Sequence, residues 1–376
     1  MYKNYSFLLP VLMLLAASCG SGSSGDSHVD STPLELKYAS LLSIDRGDGW
    51  DRVTITNPWD TTTTLHTYIL VPDTAEIPGD IPEGTVVRTP LKRAVVYSTI
   101  HTDLFRELGA EDIVKGVTDV PYITDSTVIS RIRAGEITDC GMHTAPSIEK
   151  IIALAPDGVL VSPYENSGSY GKLGQLGIPL IECADYMEIS PLARAEWVKF
   201  YGLLSGRFDE ACRMFEAEES RYNALKEKAS AATVRPRVLL DTMYGGVWYV
   251  PGKKSTTSQF ISDAGGENPF DIYHDGGSIS LSGEKVIHTA GDSPIWLIRY
   301  SQPTPLTIGQ LKSDNDLYTA VDALRNGNVW GANSSEEDYF SVMPFHPSVY
   351  LDDLIKVIHP EMSDSVASPR FFHKLK

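Results

Sequence analysis

Two α/β lobes joined by one long helix, with a β-rich extension ahead of them, is the fold class this sequence predicts. Three observations predict it. From Lys92 onward, short apolar strands alternate with helical stretches, the pattern of an α/β layer on a mainly parallel sheet. Residues 208–231 are rich in Glu, Ala, Lys and Arg with no internal Gly or Pro, a long run beside a mean helix of about eleven residues. After Pro236 the alternation restarts. The chain of 376 residues, 42% hydrophobic and 22% charged, has ample length for a two-lobed unit with buried cores.

Taken in order, residues 1–18 read as a signal peptide. Lys3 supplies a weak positive start, residues 7–15 are apolar apart from Pro10, and Ala16-Ala17-Ser18 places small residues before Cys19. That stretch is too short to span a bilayer. Its ending resembles a lipobox, in which the cysteine is lipidated and becomes the new first residue. The usual leucine three places before the cysteine is replaced by Ala16, with Leu15 one step earlier. Cys19 is therefore the expected lipidation site and residues 19–34 a Gly/Ser-rich flexible tether. The expected location is an exported lipoprotein, anchored to the membrane and facing the periplasm.

Residues 35–91 form the N-terminal β extension, with alternation at Val53-Thr54-Ile55-Thr56 and a second extended run at residues 65–71. Residues 72–90, punctuated by Pro78, Gly79, Pro82 and Gly84, read as loop. Residues 92–188 make the first α/β lobe, with strands at Ala94-Val95-Val96-Tyr97, around Val114, at Gly158-Val159-Leu160-Val161 and at Ile178-Pro179-Leu180-Ile181. Helices are expected at residues 101–108 and 147–154, the second capped by Ser147. Residues 189–235 hold a helix over 191–204 and then the long one. Residues 236–361 make the second lobe, from the Val238-Leu239-Leu240 strand to a helix over 347–358, and residues 362–376 a tail.

The formal net charge of −17 makes nucleic acid and anionic lipid headgroups poor partners. The four cysteines are Cys19, Cys140, Cys183 and Cys212. With Cys19 lipidated, the export compartment permits one disulfide, Cys140 to Cys183, and three buried free thiols are the favoured alternative. Neither C-x-x-C nor H-E-x-x-H occurs, and no G-x-S-x-G elbow. Gly252-Lys253-Lys254-Ser255 fails as a phosphate loop, because Val247 stands where a Gly is required and Lys254 where a Ser or Thr is.

From Arg93 the sequence resembles the substrate-binding proteins of iron-siderophore, haem and vitamin B12 ABC importers, over roughly residues 93–361. The stretches that carry this are Arg93-Ala94-Val95-Val96-Tyr97-Ser98-Thr99 followed by Leu108-Gly109-Ala110, and Ser147-Ile148-Glu149-Lys150-Ile151-Ile152-Ala153-Leu154-Ala155-Pro156-Asp157. Leu176-Gly177-Ile178-Pro179, Trp248-Tyr249-Val250-Pro251-Gly252, Ala264-Gly265-Gly266-Glu267-Asn268, and His346-Pro347 through His359-Pro360-Glu361 complete the set. The resemblance implies a helical-backbone periplasmic binding protein: two lobes bridged by residues 208–231, small closure, a ligand in the interlobe cleft, and no enzyme activity. It implies an inner-membrane ABC permease as partner, docked by one acidic residue on the rim of each lobe. Glu149 falls at the position in the first lobe. The second lobe departs from the pattern, with Ser262-Asp263 where a glutamate is common, so Asp263 is the substitute and Glu267 a further candidate.

Large conjugated ligands are held by aromatic faces and a few polar anchors. The expected ligand-binding residues are loop residues at strand ends: Tyr97, Ser98, Tyr164 (near Asn166 and Tyr170), Trp248, Tyr249, Arg299 and Tyr300. Arg299 suits a carboxylate of a ferric chelate or a haem propionate. Trp248 is favoured because Gly245-Gly246 and Pro251-Gly252 mark a loop from which a side chain projects. His101, His143 and His274 have no ligand spacing, and no metal site or resident cofactor is expected. The transported ligand is expected to be an iron chelate (a ferric siderophore or haem), with a corrinoid as the alternative. Rival classes are a secreted two-lobed enzyme and a surface lipoprotein that hands its chelate to an outer-membrane receptor. A monomer is expected.

Overall fold

The computed structural model describes residues 31–165, 170–273, 276–362 and 368–376. The signal peptide, Cys19, most of the tether, Asn166 and His274 lie outside the described residues.

Five strands, Ser31–Pro33, Leu42–Gly47, Asp51–Thr56, Thr64–Pro72 and Thr85–Thr89, pair in that order, antiparallel up to the last pair, which is parallel. Thr85–Thr89 falls in the stretch expected to be loop. Its Val87 is fully buried, so tertiary pairing with a buried neighbour overrides the local Pro and Gly signals. In the fourth strand Tyr68, Ile69, Leu70 and Val71 are all buried, because both faces are covered. On one side Trp50 packs with Ile69 and Val71. On the other, Val53, Ile55, Tyr68 and Leu70 join Leu104, Phe105 and Phe200 in a single core. The extension is thus fused to the first lobe.

Two buried carboxylates fasten it. Glu196 accepts hydrogen bonds from the backbone N–H groups of Lys37, Tyr38 and Ala39 at 2.7–3.0 Å. Glu188 accepts from the N–H groups of Ser40 and Leu41 and from Trp197 Nε1.

The first lobe is a parallel sheet in the order Leu180–Glu182, Gly158–Val161, Ala94–Val96, Val114–Val117, Thr138–Asp139. Helices Thr99–Glu107, Ser126–Arg133 and Ile148–Leu154 flank it. The Val and Leu residues of the three inner strands are buried, as a sheet covered on both faces requires. The chain order reverses beside Ala94–Val96, and ligands gather outside the carboxyl ends of such strands.

Helices Pro191–Glu196 and Val198–Ser205 lead to Gly206, which ends the second with φ of 68°. Phe208–Ser230 follows, 23 residues long, about 35 Å at the α-helical rise. It packs against Val198–Ser205 so closely that a Cβ on Gly202 would sit 2.5 Å from that of Ala211.

The second lobe has the parallel strands Val238–Leu240, Ile295–Tyr300 and Val329–Asn333, with His373–Lys374 added antiparallel at the edge. A separate antiparallel sheet, Met243–Tyr244, Val247–Pro251 and Ser278–Leu281, rises beside it. The last residues are not a free tail. Phe371 and Phe372 are buried in the second-lobe core, and Asp353 accepts from both their N–H groups. The seam between lobes is closed behind the cleft by Phe345, which sits in the first-lobe core, and by His346, which bonds Glu107 at 2.5 Å and lies 3.8 Å from Glu218 of the long helix. Among the described residues no helix is long and apolar enough to cross a membrane.

Candidate functional site

The cleft lies where the carboxyl end of the first-lobe sheet faces the second lobe. Tyr186 and Ile189 line it from one side, Tyr249, Lys254, Thr256 and Arg299 from the other, around a cavity of about 320 Å³. A second cavity of about 240 Å³ continues it under the first lobe, bounded by Ser98, Ser162, Asp185, Tyr186 and Arg194. Tyr186 is common to both, and its hydroxyl donates to the Pro163 carbonyl.

Each lobe offers the cleft one arginine oriented by an aspartate. In the second lobe Asp241 follows the Val238–Leu240 strand in the left-handed region, at φ of 54°, a conformation that Asp tolerates better than most residues. Its carboxylate accepts from the Arg299 backbone N–H and Nε at 3.1 Å each and from Nη2 at 2.5 Å. This charge raises the Arg299 pKa further, against its burial. The second nitrogen, Nη1, makes no hydrogen bond among the described residues. On the first-lobe side of the cleft Arg194 Nε donates to Asp185 Oδ2 at 3.1 Å, and its side chain lines the smaller cavity. Asp185 Oδ1 is held by Tyr201 Oη at 2.8 Å and His101 Nε2 at 2.9 Å. Burial opposes its charge, but His101 and then Arg194 pull Asp185 down to about 2. Burial likewise works against a proton on His101, while Cys183 and Asp185 raise it to about 10. Lys254, exposed, adds an ammonium to the rim. A guanidinium presents donors in a fixed fork that fits carboxylate and other oxyanions, so the arrangement can clamp an anion from both lobes.

Of the residues expected to bind ligand, the cleft brings together Ser98, Tyr249 and Arg299. Tyr164 is exposed but lines a different cavity, between the N-terminal sheet and the first lobe. Tyr97 packs into the core on the far face of the first-lobe sheet, with Val159 and Ile151. Tyr300 turns under its own lobe, where its hydroxyl accepts from Leu306 N–H. Trp248 is fully buried, its ring 5.9 Å from that of Trp296 and 5.5 Å from Tyr318, its Nε1 bonded to the Leu240 carbonyl. It is core, because the strand's alternation turns its side chain inward and that of Tyr249 outward.

Asp263 is also corrected. It is 7% exposed and saturated by Tyr222 Oη at 2.8 Å, Gln259 Nε2 at 2.8 Å and Lys226 Nζ at 3.0 Å, so it offers no docking charge. Glu267 is exposed, and so is Glu149 in the first turn of Ile148–Leu154. Cys140, Cys183 and Cys212 are free thiols. Sequence reasoning missed Arg194, Asp185 and Asp241. The one available signal was the Lys253-Lys254-Ser255 run, a failed phosphate loop that nonetheless forms the cleft wall through Lys254 and Ser255.

A family model described as periplasmic binding protein matches residues 94–335. An uncharacterised lipoprotein of Methanocaldococcus jannaschii is 27% identical over 288 residues, 73% of this chain and 67% of the relative. Among solved structures, a molybdate periplasmic binding protein of Haemophilus influenzae superposes with a TM-score of 0.59 at 16% identity, covering 73% of this chain and 88% of that one. An ABC-type Fe3+-hydroxamate transport protein of Saccharomonospora viridis superposes with a TM-score of 0.56 at 20% identity, covering 83% and 99%.

Proposed function

Because the chain belongs to the periplasmic binding protein family, whose members are the substrate-binding components of ABC importers and not enzymes, we propose that it captures an anionic iron chelate between Arg194 and Arg299. The observation that carries this is the pair of aspartate-oriented arginines, one on each lobe, with donors left over. Opposed guanidinium groups reward an anion only when both lobes meet it, which links binding to closure. Tyr186 and Tyr249 supply apolar faces for an organic chelator. The cavities, about 320 and 240 Å³, suit a ferric siderophore or haem better than the bulkier corrinoid. A metal oxyanion is the second reading, favoured by the same two arginines and by the likeness to the molybdate-binding protein.

In this reading lipid on Cys19 anchors the chain at the membrane face, as the lipoprotein name of the M. jannaschii relative suggests. Glu149 and Glu267 on the two lobes meet basic residues of the permease and set orientation and on-rate, and the protein works as a monomer.

The test is calorimetric titration of residues 28–376 with a ferric hydroxamate, a ferric catecholate, haemin, cyanocobalamin and molybdate. One anionic class should bind saturably and weaken about tenfold or more in Arg194→Ala and in Arg299→Ala. Binding indifferent to both substitutions, or no binding by folded protein, overturns the proposal.

A further inference from the structure

A cavity larger than those of the cleft opens elsewhere in the protein. It lies between the N-terminal sheet and the outer edge of the first lobe, with a volume of about 670 Å³. The aromatic rings of Trp59, His66, Tyr164 and Tyr170 line it; among the described residues Glu182 is the single acidic side chain that lines it, and no Lys or Arg does. We propose that this cavity is a second ligand site, for a small organic cation with an aromatic or apolar body, held by Glu182 and the surrounding rings.

Glu182 ends the edge strand Leu180–Glu182. Its backbone N–H donates to the Tyr68 hydroxyl at 2.9 Å, and that hydroxyl donates onward to the Leu180 carbonyl at 2.8 Å. The N-terminal sheet thereby fixes the strand end that carries the acid. The residue is 8% exposed, and its Oε2 has no hydrogen-bond partner among the described residues. No cationic side chain pairs with it there. Burial pushes its carboxyl up to about 7, while Tyr170 beside it works the other way. A desolvated carboxylate without a counter-charge is costly to hold, and the cost is relieved when a cation supplies the missing partner.

The rings favour the same ligand, since aromatic faces attract an ammonium or guanidinium within about 6 Å. His66 does not oppose it. Burial lowers its pKa, its Nε2 lies 2.8 Å from Thr85 Oγ1, and its ring stacks on Tyr68 at 4.3 Å. The cleft, with its two arginines, selects the opposite charge, so the two sites are chemically separate.

The experiment titrates residues 28–376 with tyramine and with tyrosol, its neutral hydroxyl counterpart, following calorimetric heat and tryptophan fluorescence, and repeats the titration with agmatine. Tyramine should bind saturably and tyrosol about tenfold or more weakly. Glu182→Gln, near in shape, should lose that preference while keeping the wild-type circular dichroism. Trp59→Ala, at a half-buried position, should weaken tyramine without removing its advantage over tyrosol. The proposal is overturned if neither tyramine nor agmatine binds, if tyrosol binds as well as tyramine, or if Glu182→Gln retains the preference.

Discussion

Replacing Glu196 by glutamine should detach the N-terminal sheet's entry segment at a cost that the geometry allows to be worked out. The carboxylate is fully buried and serves four donors. Lys37 N–H at 3.0 Å and Lys199 Nζ at 2.7 Å meet Oε1; Tyr38 N–H at 2.7 Å and Ala39 N–H at 2.9 Å meet Oε2. Glutamine keeps one acceptor oxygen and turns an NH₂ toward the other pair. If that NH₂ faces Tyr38 and Ala39, two backbone donors are orphaned, each costing about 1–3 kcal/mol. If it faces Lys37 and Lys199, an ammonium only 8% exposed loses its counter-charge, at about 3–5 kcal/mol. The loss is about 2–6 kcal/mol in the first case and about 3–5 kcal/mol in the second, a large part of a domain's usual stability of about 5–15 kcal/mol. Urea unfolding of residues 28–376, with limited proteolysis to watch cleavage near residue 37, reads it. A shift of the unfolding free energy below about 1 kcal/mol, with no faster cleavage, would refute the reasoning.

Trp248→Ala should destabilise by about 3–5 kcal/mol through the cavity it leaves, yet leave affinity for any cleft ligand within about twofold at temperatures where it stays folded; thermal unfolding paired with titration checks both. The lobe seam should be pH-dependent. Burial opposes a proton on His346, but its hydrogen bond to Glu107 and the nearby charge of Glu218, 3.8 Å away, raise it to about 9. A folded pKa above the ordinary value near 6.5 stabilises fully below that value and fades as pH rises toward 9. Between pH 6.5 and 9 the wild type should therefore lose stability more steeply than His346→Gln, measured by urea unfolding at each pH. Glu149→Ala and Glu267→Ala should slow ligand-driven ATP hydrolysis by the reconstituted permease without changing ligand affinity.

What the sequence discloses depends on how local the deciding interaction is. Phe208–Ser230 was readable because a helix free of Gly and Pro advertises itself residue by residue. Thr85–Thr89 was not, since its strand character comes from Tyr68 to Pro72, some seventeen places earlier in register (about the span at which local propensity has no voice). Trp248 shows a local signal misweighed. Neighbouring residues on a strand point to opposite faces, so Trp248 and Tyr249 could not both enter the cleft, and the larger apolar ring took the core. Asp263 was misplaced for a different reason: its partners Tyr222 and Lys226 lie on the long helix, 41 positions upstream in the case of Tyr222. The same distance hides the anion clamp. Arg194 is nine residues from Asp185, and Arg299 is 58 from Asp241, and neither pairing repeats a helical or strand period. Only the fold brings each aspartate under its arginine, which turns two half-buried cations into oriented ones. It follows that exchanging the pair in one lobe, Asp241→Arg with Arg299→Asp, should preserve the ion pair and much of the fold while misdirecting the free donor. A double variant that folds but binds the cleft ligand about tenfold or more weakly supports orientation as the function of Asp241, and one that binds like wild type reduces it to charge balance.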